Sequence, residues 1–100
     1  MRILKIGAEW CPECVIMKIR WQEIEKQFPN LNIESIDIDK NPAIKKERNV
    51  EDIPTFIFLD DSGQEFLRLQ KLVEKEDLIK IIEQENKKTN PPAGGQENNL

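Results

Sequence analysis

The sequence predicts an α/β domain with a four-stranded mixed sheet and helices on both faces, in the order β-α-β-α-β-β-α. Three observations lead there. A short aliphatic run, Arg2 to Gly7, gives way at once to a long stretch of helical periodicity. A second β-prone run follows that helix, and a strand-helix-strand start demands a parallel pair with a right-handed crossover. Later, the most β-prone segment of the chain is joined by a tight turn to another run, which adds an antiparallel edge.

The elements follow in order. Arg-Ile-Leu-Lys-Ile-Gly, residues 2 to 7, is aliphatic and β-branched and is bounded by Gly7 and a polar cluster, so it reads as a strand buried on at least one side. From Cys11 to about Phe28 the residues Met17, Trp21, Ile24 and Phe28 recur at helical spacing. Pro12 falls in the first turn, where its missing N–H costs nothing, and Pro29-Asn30 ends the run. Val15, Ile16 and Ile19 lie on another side of this helix, which predicts a central helix covered on more than one face. Asn32 to Asp39 alternates Ile36 and Ile38 with polar residues and forms the second strand; Asp39 and Asn41 offer caps for a short polar helix reaching about Arg48. Asn49 suits a left-handed position after it. Thr55 to Leu59, the turn Asp60-Asp-Ser-Gly63 and Gln64 to Gln70 make a hairpin. Glu74 to Lys88 is a final amphipathic helix with Leu78, Ile79, Ile81 and Ile82 inward and acidic residues at its positive end.

With 100 residues the chain holds one small domain. After Glu85 the hydrophobic residues are Ala93 and Leu100 alone, so residues 1–85 are expected to form the folding unit and residues 86–100 a disordered, Pro/Gly/Asn-rich tail. Acidic residues outnumber basic ones, 19 to 15, and no basic run exceeds two residues, which argues against a nucleic-acid or anionic-membrane surface. No apolar stretch is long enough for a transmembrane helix or a signal-peptide core. A soluble, cytoplasmic monomer is the expectation. The chain has no His and no Tyr, which removes Cys-His catalysis, histidine metal sites and tyrosine acid-base chemistry.

Two cysteines remain, in Cys11-Pro12-Glu13-Cys14, where the first strand meets the longest helix. The unpaired N–H groups and positive end of that helix favour an anion, so the thiolate of Cys11 is stabilised there and becomes a nucleophile. Cys14, one turn deeper, is placed to attack a mixed disulfide on Cys11 and release the substrate reduced. Zinc within the chain would need about four ligands, which leaves only a site shared across a dimer. Inert core cysteines are the other reading, weakened by the surface setting behind Trp10 and Pro12. No cofactor or metal is called for.

Ala8-Glu9-Trp10-Cys11-Pro12-Glu13-Cys14, then Ile38-Asp39-Lys40-Asn41-Pro42, then Val50-Glu51-Asp52-Ile53-Pro54-Thr55 resemble three landmarks of the thioredoxin family, in its order and spacing. They are the active-site stretch, the strand-to-helix link and the cis-proline loop. The resemblance spans roughly residues 3–85 and implies the shorter, four-stranded form of the thioredoxin-like fold. It implies a thiol–disulfide oxidoreductase acting on disulfide-containing proteins and renewed by a reductase partner. Carried over, Cys11 is the exposed nucleophile, Cys14 the buried resolving thiol, and Trp10 and Pro12 flank the substrate surface. Pro54 is the cis-proline, and the backbone of Ile53 pairs with an extended substrate peptide.

The departures are specific. The family usually carries a buried Asp in the first strand, the proton acceptor for the resolving Cys, with a Lys partner on the next strand; Lys5 and Ser35 stand at those places. Lys5 either faces the dithiol and stabilises thiolates, or snorkels to an exposed sheet end. Lys71 stands where a Gly lets substrate approach, and Pro12-Glu13 replaces the usual Gly-Pro, so bulky charged side chains bias the partner set. Glu9 and Glu13 repel a thiolate on Cys11. Two alternatives stay open: a glutaredoxin-like, glutathione-coupled protein, and a non-catalytic module that docks partners around Trp10, Ile53 and Pro54.

Overall fold

The computed structural model describes residues 1–89. Its elements are β1 (Arg2–Gly7), α1 (Pro12–Gln27), β2 (Asn32–Asp37), α2 (Ile44–Glu47), β3 (Thr55–Leu59), β4 (Glu65–Gln70) and α3 (Lys75–Thr89), the expected order. The sheet runs β2-β1-β3-β4, with β1 parallel to β2 and antiparallel to β3, and β3 antiparallel to β4. α3 continues to Thr89, past the boundary at 85 suggested by the hydrophobic count; the rest of the expected tail lies outside the described residues.

Period-2 alternation on the two inner strands builds two cores. Ile3 of β1 and Phe56 and Phe58 of β3 pack with Met17, Trp21 and Ile24 of α1 and Leu78 and Ile82 of α3. Leu4 and Ile6 of β1 and Ile57 and Leu59 of β3 face the other way, onto Val50 and the α2 side. All of β3 is therefore buried, as its unbroken apolar run requires. Lys5 shares the face of Ile3 and so points under α1, and β2 places Ser35 opposite it in register.

Three sequence expectations need correction. Val15, Ile16 and Ile19 are 49 %, 42 % and 55 % exposed, so α1 is not a central helix. Only the stripe of Met17, Trp21 and Ile24 meets the sheet and α3, and the N-terminal apolar residues fall outside that arc. The polar helix is a single turn whose N-cap, Ala43, makes no side-chain hydrogen bond, so neither Asp39 nor Asn41 caps it. β2 ends at Asp37, because Lys40 and Asn41 turn back to its carbonyl.

The loop leading to Pro54 is held from both sides. Asn49 takes the predicted left-handed conformation, φ 53°, and the Arg68 guanidinium on β4 donates to the carbonyls of Arg48 and Asn49 at 2.7 and 2.9 Å. The same guanidinium binds Glu65 and holds its carboxyl below the usual range. The Thr55 hydroxyl, buried, donates to the Asp52 carbonyl.

Candidate active site

Cys11 is the N-cap of α1. Its extended backbone and the rigid Pro12 start the helix, and its sulfur accepts the N–H of Cys14 at 3.2 Å, satisfying a donor the helix leaves unpaired. The opposite wall is the Ile53–Pro54 loop, whose peptide bond is cis; the thiol of Cys11 donates toward the Ile53 carbonyl at 4.0 Å. Both cysteines are free thiols.

Their burial is the reverse of the expectation. Cys11 is 5 % exposed, while Cys14 is the more open of the pair. Cys11 is enclosed between the first helical turn and the Ile53 loop, whereas Cys14 leans over the end of β1 and lines a groove of about 660 Å³. Partial burial, contact with Cys11 and the charge of Glu13 push the Cys14 thiol up to about 11 from an ordinary 9.0. Between about pH 9 and about pH 11 the folded, reduced protein thus keeps a proton the unfolded chain has lost, and stability falls as pH rises through that window. Urea unfolding under reductant across this range should show a decline that Cys14→Ala flattens.

Gly7, read from sequence only as a strand boundary, shapes the pair. A Cβ at residue 7 would lie 2.9 Å from Cys14 Sγ and 3.4 Å from its Cβ. Gly7→Ala should rotate or displace Cys14, slow closure of the Cys11–Cys14 disulfide, and cost about 1–3 kcal/mol by overpacking. Single-turnover thiol release and a urea midpoint measure the two effects.

The rim assembles the other predicted residues. Trp10 is 64 % exposed beside Cys11, and its indole N–H donates to Asp39 Oδ2 at 2.8 Å; Asp39 is thus a site residue that sequence reading assigned to a cap. Pro12 is exposed, Ile53 half-buried and Pro54 buried. Lys71 arrives from the corner between β4 and α3 with φ 67°; its N–H donates to the Pro54 carbonyl at 2.8 Å, and its ammonium lies 3.6 Å from Glu13 and 4.0 Å from Asp52. The two substitutions that sequence flagged separately, Glu13 and Lys71, therefore meet across the dithiol. Such exposed pairs contribute about 0–1 kcal/mol, so their role is to shape and charge the rim. Lys5 reaches neither dithiol nor open sheet end: its ammonium lies 3.3 Å from Glu25 and 5.7 Å from the centre of the Trp21 ring.

The strand order and the order of elements agree with the comparisons. The family model described as Thioredoxin matches residues 1–84. The chain belongs to the thioredoxin family. A thioredoxin of Chlamydia trachomatis is 34 % identical over 80 residues, covering 80 % of this chain and 78 % of its own length. Thioredoxin H5 of Arabidopsis thaliana is 34 % identical over 61 residues, 61 % of this chain and 52 % of that protein. Among solved structures, thioredoxin 1 of Thermosipho africanus superposes with a TM-score of 0.77 at 30 % identity, covering 90 % of this chain and 99 % of its own. Membership and fold support thiol–disulfide oxidoreductase chemistry. Among the described residues no helix is long and apolar enough to cross a membrane.

Proposed function

We propose that this thioredoxin reduces disulfides in protein substrates, with Cys11 as the nucleophile and Cys14 as the resolving thiol. The observation that carries the reading is the placement of Cys11 Sγ at the N-terminus of α1, against Cys14 N–H and within 4.0 Å of the Ile53 carbonyl. An extended peptide pairing with the Ile53 backbone as a short added strand would bring its disulfide to that sulfur, with Trp10 and Pro12 as flanking surface. Main-chain pairing supports a broad range of substrates.

Attack of the Cys11 thiolate breaks the substrate disulfide and forms a mixed disulfide; the released substrate sulfur takes a proton. Cys14 then loses its proton and attacks Cys11 Sγ. The Cys11–Cys14 disulfide forms, and the second substrate sulfur leaves with the electron pair. The cycle needs a reductase partner to return two electrons, and we place it in the cytoplasm, whose thiol poise keeps such dithiols reduced. The protein should act as a monomer without cofactor. In the insulin-reduction assay with dithiothreitol it should hasten precipitation of the insulin B chain; a rate no higher than that of Cys11→Ser/Cys14→Ser would refute the proposal.

A further inference from the structure

The two walls that enclose Cys11 both carry charge. One is the first turn of α1, with Glu13; the other is the loop before the cis-proline, with Asp52 next to Ile53. The sulfur between them belongs to a residue only 5 % exposed. Lys71 ties the walls together, for its ammonium lies 3.6 Å from Glu13 and 4.0 Å from Asp52. The backbone beneath that ammonium is fixed: the Lys71 N–H donates to the Pro54 carbonyl at 2.8 Å, and φ is 67°. Lysine holds this left-handed conformation at a cost that glycine would not carry. All three side chains are more than a third exposed, so an incoming peptide meets them.

Resting on the dithiol reading, we propose that this charged triplet selects substrates by the residues beside their reacting cysteine, favouring disulfides flanked by lysine or arginine. A peptide laid along Ile53 gains affinity from main-chain hydrogen bonds, so discrimination falls to the side chains that border the added strand. Two carboxylates against one ammonium leave the triplet one unit negative. A cation beside the substrate cysteine takes Glu13 and Asp52 over from Lys71. A carboxylate there gains Lys71 alone and meets the repulsion of both acids. Lys71 is thereby the specificity-determining residue: it occupies the place of the substrate cation and sets how negative the entrance is.

The neighbouring charges reinforce the choice. Glu9, in the loop before Trp10, and Glu51, beside Asp52, are exposed and negative. On the other side of Cys11, Asp39 accepts the Trp10 indole N–H and is followed by exposed Lys40, so that side adds no net charge. Arg68 is held by Glu65 and the carbonyls of Arg48 and Asn49. Arg20, two turns along α1 from Glu13, is held by the Val73 carbonyl.

The test uses the full, reduced chain and two short peptides, each with one cysteine flanked on both sides by lysine or by glutamate and capped as a mixed disulfide with 2-nitro-5-thiobenzoate. The Cys11 thiolate attacks the peptide sulfur; the Cys11–peptide disulfide forms, the bond to nitrothiobenzoate breaks, and that coloured thiolate leaves with the electron pair. Each rate constant is divided by that of dithiothreitol with the same peptide, which removes the attraction any thiolate has for a cation. The lysine-flanked peptide should then react about fivefold faster at low salt. The two should react equally in about 1 M sodium chloride, where the screening length is about 3 Å. Lys71→Met makes the triplet two units negative and should square the preference, to about 25-fold, whereas Glu13→Gln makes it neutral and should abolish it. Lys71→Gly, relaxed at the left-handed position, should match Lys71→Met. Parity or a preference for glutamate in the wild type at low salt overturns the proposal, and so does a wild-type ratio in Lys71→Met or Lys71→Gly. Release by the wild type no faster than by Cys11→Ser, with either peptide, refutes the dithiol reading itself.

Discussion

Cys14→Ser is expected to turn the protein from a catalyst into a trap. Cys11 keeps its place at the helix N-terminus, since the N–H that bonds its sulfur belongs to the backbone of residue 14 and survives the substitution. Attack on a substrate disulfide proceeds, and the mixed disulfide then waits for a thiol that is no longer there. About one substrate per chain should accumulate as a covalent adduct, visible on a non-reducing gel and released by dithiothreitol, while turnover of insulin falls to the background given by the reductant alone. Cys11→Ser should lose both adduct and turnover, because Cys14 is held as a thiol, pushed up to about 11. Adduct formation by Cys11→Ser at the wild-type rate would reverse the assignment of the two sulfurs.

Trp21→Ala should produce the largest loss of stability. Trp21 has no exposed surface; its ring centroid lies 5.6 Å from Phe56 and 6.5 Å from Phe58, and it joins α1 to the sheet beneath α3. Truncating so large a buried aromatic removes its transfer energy and leaves a cavity, about 3–5 kcal/mol together. A small domain commands about 5–15 kcal/mol in all, so much of the population should unfold at 37 °C. A urea titration followed by far-ultraviolet circular dichroism measures the shift; a loss under about 1 kcal/mol would mean that the α1–sheet contact is not the keystone described here.

Much of this fold was legible in the chain because local rules and global packing agree. The β-prone run Thr55 to Leu59 and the turn after it announced a hairpin, and β3 pairs antiparallel with β4. The dithiol was legible because a Cys pair at a strand-to-helix junction has few other uses. Reading failed where periodicity was ambiguous: Val15, Ile16 and Ile19 form an apolar side of α1 that meets no core, and side-chain hydrophobicity alone does not say which arc a sheet will cover. It also failed where partners are distant in sequence. Asp39 joins Trp10 across 29 residues, and Lys71 meets Glu13 and Asp52 only because the corner after β4 docks on the cis-proline loop. Gly7 had one available signal, a Gly closing a strand opposite a functional helix, a mark of close backbone approach.

The amino-acid sequence by itself determined the order of elements, the dithiol at the head of α1 and the absence of any imidazole to assist it, for these depend on residue type and on neighbours a few positions away. Tertiary structure alone decided that Cys11 is the enclosed thiol and Cys14 the one open to a groove, that Gly7 leaves room for its sulfur, and that Lys5 turns from the dithiol toward Glu25 and Trp21. The physical reason is common to all three. Burial and charge environment are sums over atoms brought close by the parallel β1–β2 pairing and by the packing of α1 on the sheet, and sequence spacing does not carry those distances.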